Sequence, residues 1–127
     1  MSDEQEKKVA DSIGDQFTNA DVTMTTVQPD QNTRDVSDRL TRVLQSKGAK
    51  VEYDTVQMYI PPAGMTLHRG LSITSFPSDR KTAVDTLVAA LGDAGVVKVV
   101  PIYDHRDSKI GIVVNRSGET PEEAKQY

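Results

Sequence analysis

Cysteine and tryptophan are both absent from the 127 residues, and only two phenylalanines and four tyrosines are present. Without thiols there is no disulfide framework, thiolate zinc site, iron–sulfur cluster or cysteine nucleophile, and the redox compartment stays open. The aromatics are too sparse for the stacking platform on which a nucleic-acid-binding sheet holds successive bases. Positive charge is not in excess either: 15 Lys and Arg stand against 19 Asp and Glu, a formal net charge of −4. That balance argues against nucleic acid and anionic membranes as partners, and it is too mild for a nucleic-acid mimic. No apolar run approaches the ~18 residues of a membrane span. The opening residues, Met1 to Glu6, are acidic where a secretory signal would be basic and then apolar. The compartment is left open by these absences, and the expectation is a cytoplasmic protein or the soluble domain of a larger membrane protein. The chain has no Walker loop, no G-x-G-x-x-G, no G-x-S-x-G elbow and no H-E-x-x-H, so no cofactor is called for.

What is present suffices for one modest core. Val, Ile, Leu and Phe make up 29 of the residues, just above the roughly 20 per cent below which chains remain disordered. Ser2 with Gln5 reads as a capping box, and Val9, Ile13 and Phe17 recur every four residues. Together they predict an amphipathic first helix within residues 1–19 that leans on the rest of the fold.

The most informative feature is an internal repeat. Val22-Thr23-Met24-Thr25-Thr26-Val27-Gln28-Pro29-Asp30 resembles Leu71-Ser72-Ile73-Thr74-Ser75-Phe76-Pro77-Ser78-Asp79: alternating apolar residues, then proline and aspartate. Each reads as a strand turning into a helix. Val36, Leu40, Val43 and Leu44 mark one helical face, and Val84, Leu87, Val88 and Leu91 mark its counterpart. Gly48 and Gly95 stand at equivalent positions just past the two helices. The offset is 49 residues in the strands and 47 in the helices, so the second strand-to-helix loop is two residues shorter, a change loops tolerate. Residues 50–60 and 96–103 follow the helices as β-rich segments, and 110–114 reads as a further strand closing a hairpin through the polar turn 104–109. The apolar density of 96–100 and 110–114 predicts strands in the middle of the sheet.

The expected fold is therefore α+β, a two-layer βαββαβ pseudo-repeat with an N-terminal helix and an extra C-terminal hairpin strand. Residues 20–116 form the domain, built from units 22–60 and 71–114. A tail, 117–127, carries a second capping box at Thr120-Pro121-Glu122-Glu123. From Val22 to Val114 the element order resembles the ferredoxin-like class, which implies an antiparallel sheet with two helices on one face. It is also similar to envelope-associated modules such as sporulation-related repeats and the LytR C-terminal domain. The asparagine-glycine turn of the latter is replaced here by Gln28-Pro29-Asp30, and no functional residue is carried over.

Two readings of function compete. In the first, the chain is a non-catalytic interaction or regulatory module that binds a protein partner, a second copy of itself or a small ligand through its sheet face or edge. Thr23, Thr25 and Thr26, with Ser72, Thr74 and Ser75 in the matching strand, would line that face with hydroxyls. In the alternative, Asp104-His105-Arg106-Asp107 carries hydrolytic or metal-assisted chemistry. Asp104, His105 and Asp107 would then serve as acid, base or ligand, and Arg69 or Arg106 would stabilise an anionic transition state. The same four residues read first of all as a solvated turn, and a metal would need a further donor from elsewhere. His68-Arg69, between Gly64 and Gly70, reads either as an anion clamp assisted by Arg106 or as a linker with His68 in water and Met65 and Leu67 packed beneath.

Overall fold

The computed structural model describes residues 1–61 and 68–116. The tail capping box, Met65 and Leu67 lie outside them. Ser2 opens α1 (Asp3–Ile13) with the reciprocal cap its spacing from Gln5 predicts. Ser2 Oγ accepts from the Gln5 amide at 3.1 Å, and the Ser2 amide donates to Gln5 Oε1 at 2.8 Å. Gly14, with φ of 57°, ends the helix, and Val9, Ile13 and Phe17 are fully buried. Beyond α1, β1 (Asp21–Val27) leads into α2 (Gln31–Ser46) and β2 (Lys50–Val56). After these, β3 (Gly70–Ser75) leads through a 3₁₀ turn (Ser78–Arg80) into α3 (Lys81–Asp93), and β4 (Ile110–Asn115) completes the sheet.

The fold is α+β: three helices and one open four-stranded sheet, ordered β2-β1-β4-β3, among the described residues. β1 runs parallel to both β2 and β4, while β3 is antiparallel to β4. This is not the antiparallel ferredoxin-like arrangement expected from element order. β4 is inserted between the two units, and its placement there follows from composition: all six of its residues are buried, as a central strand requires.

The duplication persists in the pairing. Met24 stands opposite Tyr53 in the parallel β1–β2 ladder, and a shift of 49 residues carries that pair onto Ile73 opposite Ile102, also parallel. Both helices also end alike. The Ala49 amide donates to the Leu44 carbonyl and the Gly48 amide to Gln45, and the Val96 amide donates to Leu91 and the Gly95 amide to Gly92, all within 3.1 Å. This is the Schellman pattern, with Gly48 (φ 90°) and Gly95 (φ 74°) in the left-handed region it demands. The helix starts differ. Asp30 caps α2 by accepting from the Thr33 amide at 2.8 Å, whereas Asp79 falls inside the 3₁₀ turn and α3 has no side-chain cap.

Residues 96–103 do not form the central strand expected of them. Val96, Val97 and Val100 are half-buried and Val99 is 40% exposed. Only from Pro101 does the chain meet the sheet, as an irregular outer edge. The Ile73 amide donates to the Pro101 carbonyl, Tyr103 to Ile73, and Phe76 to His105, at 2.9–3.1 Å. Pro101 has no amide with which to extend a ladder. Nor does 104–109 close a hairpin: it carries the chain past the end of β3, from that outer edge to β4 on the other side.

Val22, Met24, Leu71, Ile73, Ile110, Ile112 and Val114 share one cluster with Val9, Ile13, Phe17, Leu40, Leu44, Leu87 and Leu91. All three helices therefore cover one face of the sheet. Each fully buried leucine contributes roughly 1.5–3 kcal/mol, which locates much of the stability on this side; on the opposite face Ser72, Thr74, Ser75, Val113 and Asn115 are buried as well. Thr26, expected on the hydroxyl face, belongs to the helix side, where it is fully buried and donates to Ser37 Oγ at 2.7 Å.

Candidate functional site

Strand alternation decides what the face away from the helices presents. β1 supplies Thr23 and Thr25, β4 supplies Gly111 and Val113, and β3 supplies Ser72 and then both Thr74 and Ser75, because the register shifts between Ile73 and Ser75. That bulge brings two successive hydroxyls toward one point. A Cβ on Gly111 would stand 2.5 Å from Thr74 Oγ1 and 2.8 Å from Ser75 Oγ, closer than any carbon can approach. Those two oxygens fill the place a side chain would take, and beside them lies a hollow of about 180 Å³, lined by Thr23, Thr25, Thr74, Ser75, Tyr59, His105 and Asp107 over Gly111 and Val113. Ser75 Oγ donates to the Lys109 carbonyl at 3.1 Å, so it faces the hollow with lone pairs only.

The quartet 104–107 is divided by the same alternation. Asp104 and Arg106 turn to the other side. There the Arg106 guanidinium pairs with Asp104 at 2.9 Å and lies 4.6 Å above the Phe76 ring, a cation–π contact that fastens the edge segment to the core. His105 and Asp107 turn into the hollow. Asp107 Oδ1 accepts from the Ser108 amide at 2.6 Å and from Ser108 Oγ at 3.3 Å, which holds the carboxylate in place. Among the described residues no three His, Asp or Glu side chains gather as a metal would require.

His68 does not sit in water as a linker residue would. It is half-buried, its ring stacks on Tyr103 with centroids 5.9 Å apart and planes 12° from parallel, and its carbonyl accepts from Asn115 Nδ2 at 3.1 Å. Burial, with Tyr59 nearby, pushes the Tyr103 phenol above its ordinary pKa. Arg69 is exposed. The hollow beside His105 and Asp107 is lined by neither His68 nor Arg69; His68 meets the edge segment through Tyr103 instead.

The remaining strong electrostatics lie on the helices. Arg39 of α2 reaches Asp3 and Glu6 of α1 and Asp35 one turn away, and its guanidinium holds the Asp3 and Asp35 carboxyls below the usual carboxylate range. The N-terminal ammonium also meets Asp35, at 3.1 Å. This network ties α1 to α2 on the far side of the sheet from the hollow.

Gly111 and Tyr59 are the site residues the sequence reading missed. An isolated glycine inside an apolar strand signals close approach of another group, and Gly111 between Ile110 and Ile112 is that signal. Tyr59 carried none. Compared with known proteins, the chain matches no family model, no curated protein and no solved structure.

Proposed function

We propose that the protein is a non-catalytic binding module that takes a small polar ligand on the face of its sheet away from the helices, in the hollow beside Gly111. The observation that carries this reading is the hollow itself, where polar side chains of β1, β3 and the segment 101–107 converge on one space. Pockets for drug-sized ligands run to about 300–1,000 Å³. At about 180 Å³ this one suits something much smaller, held by a few hydrogen bonds.

Binding is better supported than turnover. A nucleophilic hydroxyl needs a base within hydrogen-bond reach, yet the Ser75 proton goes to the Lys109 carbonyl, and Asp104 and Arg106 are engaged with each other and with Phe76. The test is a screen of small polar compounds against the labelled chain by amide chemical shift, run beside ester and phosphoester hydrolysis assays. Saturable shifts at Gly111, Thr25 and Asp107, with a rise in Tm from ligand linkage, are expected. A hydrolytic turnover abolished by His105→Ala in a folded protein contradicts this reading.

A further inference from the structure

We infer that the group the hollow accepts is a protonated amine, the ammonium end of a small aliphatic amine. This deepens the binding reading above and rests on it. Thr23, Thr25, Tyr59 and His105 in the lining can each donate or accept, so the groups with a fixed role set the preference, and both of them accept. Ser75 Oγ has committed its proton to the Lys109 carbonyl and offers lone pairs alone, and the Asp107 carboxylate is acceptor-only. Thr74 Oγ1 converges on the same point as Ser75 Oγ, the two standing 2.5 and 2.8 Å from the place a Gly111 Cβ would take.

Charge selects within the donor-rich ligands. Among the described residues no Lys or Arg side chain lines the hollow, while Asp107 does, so a phosphate or carboxylate would meet its negative charge. An ammonium brings three donors and the complementary charge, and its hydrogen bond to Asp107 belongs to the stronger, charge-assisted kind. A polyol offers donors without the charge and is the natural competitor. The volume suits an aliphatic amine of a few carbons.

The experiment titrates the ¹⁵N-labelled full chain at fixed ionic strength with 1,4-diaminobutane and, separately, with its neutral counterpart 1,4-butanediol. The diamine is expected to shift the Gly111, Ser75 and Asp107 amides saturably, and the diol to bind at least about tenfold more weakly, the loss of one charge-assisted hydrogen bond. Asp107→Asn and Thr25→Val are both solvent-side changes that leave the core intact. The first is expected to weaken the diamine about tenfold without altering the diol, and the second to weaken both. A diol that binds at these amides as tightly as the diamine, or an Asp107→Asn variant that binds the diamine unchanged, overturns the amine assignment while the hollow survives as a binding site. Absence of saturable shifts there with the diamine also overturns the amine assignment. The broader screen then decides the binding reading independently.

Discussion

The units 21–56 and 70–107 begin alike and finish differently. Each sends a strand into a helix that ends in a Schellman cap, and each returns a segment parallel to its own strand in matching register, Met24 with Tyr53 and Ile73 with Ile102. In the first unit the return is an unbroken seven-residue ladder; in the second it is two isolated bridges, at Ile102 and Arg106. Proline at 101, the bulge in β3 and the longer link after α3 account for the loss of regularity. The irregular edge is also what allows the chain to turn past the end of β3 and re-enter as β4, setting His105 and Asp107 beside Gly111. A regular ladder builds stability in one copy, and its disruption builds the site in the other.

The comparison can be broken most forcefully at the matched leucines. Leu44 and Leu91 are both fully buried and accept the equivalent Schellman bond, so Leu44→Ala and Leu91→Ala should each cost about 2–5 kcal/mol in urea unfolding. A near-zero loss at either position breaks the equivalence. Next comes Gly111→Ala, which forces a methyl against Thr74 and Ser75 and is expected to cost about 1–3 kcal/mol. Adding Thr74→Ala should return part of that loss, a coupling a double-mutant cycle reads directly. No coupling contradicts the packing that shapes the hollow.

Smaller effects sharpen the comparison. Alanine at Gly48 or Gly95 must adopt a left-handed backbone, at about 1–2 kcal/mol. Gly48→Ala should be the costlier of the two, because its Cβ meets the Thr18 backbone at 3.4 Å, whereas at Gly95 only the Gln5 side chain lies within 4 Å. Thermal unfolding of the pair checks the order. The smallest effect separates the helix starts. The Thr33 amide holds the Asp30 carboxyl below the usual carboxylate range, so its contribution is present above the unfolded value of about 3.9 and lost as pH falls through the lower folded value. The stability gap between wild type and Asp30→Ala should be constant at neutral pH and close under acid. α3, with no side-chain cap, has no counterpart, and a gap that persists at low pH contradicts the cap.

The repeat was legible because its signals are local: an alternating strand, a proline-aspartate exit, a leucine stripe and a glycine four residues beyond the last leucine. The strand reading of 96–103 failed because valine density reports burial and β-propensity but not whether a backbone partner is within reach. The expected hairpin and the antiparallel sheet failed for a related reason, since the choice that inserts β4 between the units is made by long-range pairing that no window of sequence contains. At the site, Asp104-His105-Arg106-Asp107 was visible as a cluster, yet treated as a turn it had no sides. Read as a strand, its period of two separates His105 and Asp107 from Asp104 and Arg106. The hydroxyl face was legible in Thr23, Thr25, Thr74 and Ser75, whereas the bulge that aims the last two at Gly111 was not.

Native-state hydrogen exchange on the amides of Ile73, Phe76 and Tyr103 tests the central claim most directly. These three donate to Pro101, His105 and Ile73, and they exist as protected amides only if 101–107 lies along β3 in the register that mirrors β1 and β2. Exchange well slower than that of exposed Lys98 is the expected result. Exchange as fast as Lys98 at all three would detach the edge segment from the sheet, and with it one wall of the hollow.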